Sequence, residues 1–251
     1  MKTSIFKDKV TVITGGHSGI GAAISDAFAA KGCTVIIVGR NEETGRAAAK
    51  ELSLKYECKA SFCTCDITQS DQAQAAIQSI VQDYGQIDFL INNAGIYPAV
   101  GLLDMTEATF EAVFRLNVQG VFNITREAAL QSMCSRKYGR IISISSVDSW
   151  LPTRGITAYA ASKAALNSLV KSFAIELSEY GITSNGVAPG WVGTEPVLRA
   201  GRYKSQLDQI LNKRMAEPSE IADFVTFLCE DKASYMNGEI LNVSGGLLLN
   251  S

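Results

Sequence analysis

Two side chains raise the first chemical question: Tyr159 and Lys163, four residues apart in Thr157-Ala-Tyr-Ala-Ala-Ser-Lys163. The segment is alanine-rich and continues with Ala164, Leu166, Leu169, Val170 and Phe173, the pattern of a helix. On a helix, residues four apart share one face and reach each other. A phenol titrates near pH 10 and is a poor acid or base at neutral pH. A neighbouring ammonium favours the phenolate and brings it toward the working range. The pair alone is weak. With eight tyrosines in 251 residues, chance supplies roughly 0.4 such pairs, so its weight depends on what stands beside it.

The elements that would position the pair can be read in order. Val10-Thr-Val-Ile13 is a short β-branched run, followed by Thr14-Gly-Gly-His-Ser-Gly-Ile-Gly21 and an alanine-rich helix closed by Gly32. Strand, glycine turn and helix is the context in which a glycine motif binds a pyrophosphate. Gly15, Gly19 and Gly21 permit the tight turn and the close approach, and His17 reads as a loop residue near phosphate. Strands are predicted at 34–40, 59–65, 87–91, 140–145, 182–188 and 239–243. Helices are predicted at 42–56, 70–84, 107–133, 157–179 and 218–230. This alternation predicts an α/β chain, one doubly wound Rossmann sheet of parallel strands with helices on both faces, over 1–251 as a single domain. Ligands then belong at the C-terminal strand ends, which carry the glycine loop, Arg40, Asp66, Asn92, Ser146 and Pro189-Gly190.

Composition excludes several function classes. A net charge of −2 and a sequence pI near 5.6 argue against a nucleic-acid or anionic-membrane partner. No apolar run approaches the ~20 residues of a membrane span, and the lysine-bearing start, Met1 to Lys9, does not read as a signal peptide. The six cysteines follow no disulfide framework. Cys63-Thr-Cys65 reads as buried strand thiols, and a reduced, cytoplasmic setting is expected. One histidine excludes a multi-histidine metal site, and no metal is expected.

At this point the chain resembles the classical short-chain dehydrogenase/reductase family over essentially its whole length. The matching residues are Thr14-Gly-x-x-x-Gly-x-Gly21, Asp66, Asn92-Asn-Ala-Gly95, Asn117, Ser146, Tyr159-x-x-x-Lys163 and Pro189-Gly190 through Thr194. The resemblance implies catalytic roles for Asn117, Ser146, Tyr159 and Lys163. Tyr159 would exchange a proton with the substrate oxygen, and Ser146 would hydrogen-bond that oxygen. Lys163 would lower the Tyr159 pKa and grip the nicotinamide ribose, and Asn117 would hold a water beside it. Cofactor contacts are implied at Gly15, His17, Ser18, Gly19, Ile20 and Gly21, at Arg40 and Asn41, and at Asp66 and Ile67. Further contacts are implied at Asn93, Ala94, Gly95, Pro189, Gly190, Val192 and Thr194, and at Tyr159 and Lys163 themselves.

Cofactor choice turns on the second strand's end. Gly39 occupies the slot where NAD enzymes of the family often place an acid, and Arg40 follows. A guanidinium suits a 2′-phosphate, so NADP(H) is expected over NAD(H). The substrate is expected to be a small carbonyl or alcohol, met by Ser146, Tyr97, Trp150 and Trp191 and by a loop at about 190–212. Two tryptophans and a tyrosine favour an apolar or ring-bearing molecule. The alternative is a 3-oxoacyl carrier-protein reductase. Its two docking arginines would fall at Lys137 and Tyr180, so one of the two charges is lost. A more remote alternative is a non-catalytic cofactor sensor, which would normally show a broken Tyr–Lys pair. The resemblance also implies a homotetramer, paired through 107–133 and 157–179 and through the last strand, with the apolar tail Gly246-Leu-Leu-Leu-Asn250 at its end.

Overall fold

The strands explain themselves by burial. In a computed structural model, which describes residues 5–249, Val12 and Ile13, then Ile36 and Ile37, alternate between the two faces of one sheet, and all four are buried. A strand covered on both sides has no polar face to show, hence the β-branched runs. The first four residues of the lysine-bearing start, and Asn250 and Ser251 at the other end, lie outside the described residues.

Among the described residues there are seven strands: β1 Val10–Thr14, β2 Thr34–Gly39, β3 Ala60–Thr64, β4 Phe89–Asn92, β5 Gly139–Ile144, β6 Ile182–Pro189 and β7 Ile240–Val243. All pair in parallel, in the order β3-β2-β1-β4-β5-β6-β7. The helices are α1 Gly19–Ala30, α2 Glu42–Tyr56, α3 Ser70–Tyr84, α4 Glu107–Phe114, α5 Val121–Ala128, α6 Cys134–Arg136, α7 Thr157–Leu177, α8 Glu195–Ala200 and α9 Pro218–Cys229. Ile24 and Phe28 of α1, Leu52 of α2 and Ile221 and Val225 of α9 fill one face against Ile13, Ile37 and Phe89. Ile77 and Ile80 of α3 and Ile124 of α5 fill the other, against Val12, Ile36 and Leu90. Val121, Leu166 and Phe173 join α5 to α7.

The strand order reverses between β1 and β4, and a crevice opens above such a switch point. The chain leaves β1 into Gly15 and leaves β4 into Asn93, so the glycine loop and Asn93-Ala94-Gly95 become neighbours. One hydroxyl joins them: Thr14 Oγ1 accepts the Asn93 and Ala94 N–H groups at 3.0 and 3.1 Å. The opposite end of the sheet is clamped electrostatically. Asp88, fully buried, accepts from Lys9 at 3.3 Å, Arg136 at 2.8 Å and the Val10 N–H at 2.8 Å. The functional and structural ends are therefore distinct.

Two expectations need correction. The helix predicted over 107–133 is not one α-helix. π turns at Arg115–Gly120 and Ala129–Met133 interrupt it, because an extra residue per turn leaves no mark on composition. The substrate loop is not irregular throughout, since it holds α8 and two 3-10 turns, Arg202–Ser205 and Leu207–Gln209.

Candidate active site

α7 begins over the C-terminal end of β5 and carries Tyr159 and Lys163 down one side. Its inward face is small or apolar, with Ala158, Ala160, Ser162 and Leu166 buried, which lets the helix lie close to the sheet. Lys163 is buried to 4 % exposure, and its Nζ donates to the Ile144 carbonyl at the end of β5 at 2.6 Å. The ammonium stands 5.6 Å from the Tyr159 ring centre. Ser146 lies two residues past β5, and Tyr97 packs edge-on against the Tyr159 ring with centres 5.9 Å apart.

The π turn after α4 places Asn117. Its Nδ2 donates to Ser162 Oγ at 3.0 Å, and Ser162 donates to the Tyr159 carbonyl at 2.7 Å. A second polar network braces the serine. Ser145 donates to Asn167 at 2.6 Å, Asn167 to Ser149 at 2.9 Å, and Ser149 to the Ser146 carbonyl at 2.7 Å. Both networks are buried or nearly so, which holds the groups rigidly.

A cavity of about 770 Å³ opens over these residues. Ser18, Gly19, Ile20, Asn93, Gly95, Tyr97, Ser146, Tyr159, Lys163, Pro189, Gly190, Trp191, Val192 and Thr194 line it. A second cavity, of about 240 Å³, is lined by Gly15, His17, Ser18, Arg40, Asp66, Ile67, Asn93, Ala94 and Gly95. Their walls share Ser18, Asn93 and Gly95, so the two adjoin in one trough at the switch point.

The trough fits a dinucleotide. The N-terminus of α1 has no side-chain cap and no acid in its first turn, so its free N–H groups can meet a phosphate. Gly15 and Gly19 hold φ of +65° and +54°, which side-chain-bearing residues rarely adopt. A Cβ on Gly21 would lie 2.2 Å from the Gly15 carbonyl oxygen, so this glycine seats the helix against the loop. His17 Nδ1 is buried without a partner beside Gly39. Arg40 is exposed at the second cavity's rim.

The family model for short chain dehydrogenases matches residues 9–202. The chain belongs to this family. It is 36 % identical over 241 residues to the 3-oxoacyl-(acyl-carrier-protein) reductase FabG of Aquifex aeolicus, covering 95 % of this chain and 97 % of that protein. The crystal structure of gox2181 superposes with a TM-score of 0.94 at 30 % identity, covering 98 % and 97 % of the two chains. That of a short-chain type dehydrogenase/reductase from Mycobacterium marinum gives 0.93 at 30 % identity, covering 99 % and 98 %. As a short-chain dehydrogenase the protein is an oxidoreductase that uses a nicotinamide cofactor.

Within this short-chain dehydrogenase, most residues expected at the site converge, and some do not. Trp150 is 46 % exposed and lies outside the cavity wall, because it ends the 3-10 turn Val147–Ser149 on the solvent side. Asn41 lines neither cavity, since its side chain caps α2 by accepting the Thr44 N–H at 3.1 Å. Asn117 is buried behind the trough. The expected electrostatics also differ. Burial pushes the Tyr159 phenol above its ordinary range. Burial brings Lys163 itself down to about 8. Asp148 and Arg154, outside every expected segment, also line the larger cavity, as do Arg202 and Gln206 from within the expected substrate loop. Gln206 accepts from Trp191 Nε1 at 2.7 Å, tying the substrate segment to the end of β6. The chamber is thus more polar than its aromatics implied.

Proposed function

We propose that the protein interconverts a ketone and a secondary alcohol with NADP(H), with Tyr159 as the acid/base group. The observation that carries this reading is the meeting of a phenol, a hydroxyl and a buried ammonium at one cavity that adjoins a second lined by the glycine loop. When bound, the nicotinamide supplies or receives the hydride. Tyr159 would deliver a proton to the substrate oxygen during reduction and take it back during oxidation. Ser146 would hold that oxygen in line. Lys163 would bind ribose hydroxyls through the two donors not used by Ile144. Asn117 would fix the Gly95–Ile96 loop beside it. Arg40 would favour a 2′-phosphate over a free hydroxyl, which supports NADP(H) over NAD(H). We read the chain as one domain acting as a cytoplasmic homotetramer. Phe122 and Ile175, exposed at 45 % and 77 %, are apolar groups on α5 and α7 that pairing would cover. Sedimentation showing only a 27-kDa species would end the tetramer.

Tyr159→Phe tests the core of this reading. It should reduce turnover by about 10²–10⁴-fold while leaving dinucleotide affinity almost unchanged. A variant keeping more than about a tenth of the rate, under ~1.4 kcal/mol of barrier, would remove Tyr159 from the role.

A second reading is reduction of 3-oxoacyl groups on a carrier protein, favoured by the named activity of the Aquifex aeolicus relative. Lys137 is exposed, whereas Tyr180 packs partly into the core, so only one of the two docking charges would face a carrier. Rates with carrier-linked substrate, a small thioester and cyclic ketones, at low and high salt, separate the readings. A carrier preference above ~100-fold with strong salt inhibition would establish the second.

A further inference from the structure

Ser146 has a competitor for its only proton. Its hydroxyl donates to Asp148 Oδ2 at 3.1 Å, and the Asp148 backbone N–H donates back to Ser146 Oγ at 3.1 Å. A serine hydroxyl offers one proton and two lone pairs. The carboxylate takes the proton and the amide takes one lone pair. One lone pair remains, in the cavity that Tyr159 also lines. In this arrangement Ser146 can accept a hydrogen bond but cannot donate one to a carbonyl.

Asp148 lines the reacting cavity from the first turn after Ser146. Its other oxygen accepts from Thr153 Oγ1 at 3.5 Å. Two groups on other elements face it: Tyr159 from α7, and Arg202 from the 3-10 turn of the substrate segment. The Arg202 guanidinium donates to the Arg154 carbonyl at 3.1 Å.

We propose that Asp148 is a positioning residue that decides where the Ser146 proton points. As a carboxylate it withholds that proton. As a carboxylic acid it donates its own hydrogen bond to Ser146 Oγ and frees the serine hydroxyl for the substrate oxygen. No proton changes owner between the two residues; only the direction of their hydrogen bond reverses. The proposal rests on the reading of Ser146 and Tyr159 as the reacting pair. Burial holds the Asp148 carboxyl above its ordinary range, against the hydrogen bond from Ser146, which brings the reversal nearer to working pH.

The consequence is a falling limb in carbonyl reduction as pH rises through the Asp148 titration. The limb ends on a floor set by an enzyme without a serine donor. Loss of one such donor lowers rate by about 10²–10³-fold, which bounds the limb's depth.

The experiment measures kcat/KM against pH for wild type, Asp148→Asn, Asp148→Ala and Ser146→Ala with one ketone. A carboxyl ¹³C titration of Asp148 in the free protein accompanies it, assigned by difference from Asp148→Asn. Wild type should show the limb, both Asp148 variants should lack it, and Ser146→Ala should lie flat near the wild-type floor. At high pH Asp148→Asn should outrun wild type. In the titration, Ser146→Ala should raise the Asp148 midpoint, because the lost donor favoured the carboxylate. A limb that persists in Asp148→Asn, or an Asp148 midpoint unmoved by Ser146→Ala, overturns the proposal. If Tyr159→Phe stays active, the reacting pair itself is misassigned. In that case the carboxyl titration alone decides whether Asp148 governs Ser146.

Discussion

Asn117 and Ile96 form a two-point amide pair. Asn117 Oδ1 accepts the Ile96 N–H at 2.9 Å, and its Nδ2 donates to the Ile96 carbonyl at 3.0 Å. The side chain thus does for a loop what a neighbouring strand does for a strand. The π turn supplies the reach by bulging the helix toward that loop. Asn117→Ala leaves both loop groups short of partners and should cost about 1–3 kcal/mol of stability. Dinucleotide affinity should fall with it, because Gly95 lines both cavities. Unchanged denaturation together with unchanged cofactor titration would deny the loop-holding role.

Arg40→Ala should weaken NADPH far more than NADH. A charge-assisted contact is worth about 1.5–3 kcal/mol, or roughly 10- to 150-fold in affinity. Equal losses for the two cofactors, or a wild-type preference for NADH, would reject a phosphate at this position.

Gly21→Ala tests how the glycine loop is seated. The added methyl would sit 2.2 Å from a backbone oxygen of Gly15 and 2.5 Å from the Asn93 amide, so α1 or the loop has to move. Overpacking of this kind costs typically about 1–3 kcal/mol. Calorimetry should show the destabilisation, and dinucleotide binding should suffer beyond it. A variant as stable and as tight-binding as wild type would contradict the close packing.

Lys163 predicts a stability that rises with pH. Burial lowers its pKa to about 8, whereas the unfolded chain keeps an ordinary lysine near 10.4. Between those values the unfolded state binds more protons, so raising pH favours the fold. The gain totals on the order of 3 kcal/mol and is complete above the unfolded value. Lys163→Met should flatten this component in urea unfolding from pH 7.5 to 10.5. Identical pH slopes in the two proteins would show that Lys163 is not titrating there.

How far the sequence was readable depends on the range of the interaction. The bounds of α2 and α3 were legible to the residue, because local propensity and their caps, Asn41 and Gly85, act over a few positions. The pairing of Tyr159 with Lys163 was legible through helical spacing, and that of Ser146 with them only through the family resemblance. Asp148 was not. An acid after Ser-Ser-Val looks like any loop residue, and its weight comes from burial and from Arg202, fifty-four positions later. Trp150 failed in the opposite sense. Large aromatic rings suggested a pocket wall, but the turn that ends at this residue leaves it at the surface. The opposed shifts of Tyr159 and Lys163 were not legible, because they come from desolvation, which depends on the packed fold.

Ser18, Asn93 and Gly95 are the residues shared by the walls of the two cavities. Arg40 therefore stands in a different neighbourhood from Asp148, Trp191 and Arg202. Free-energy changes at sites without common partners add to within about 0.3–0.5 kcal/mol. If Arg40 selects the redox pool as proposed, a lineage built on this scaffold could change that pool without disturbing the larger chamber's choice of substrate. The reverse change, a new substrate on an old pool, would then be equally open to it. Exchanges at positions 39 and 40 would transplant as a module between relatives with unrelated chambers.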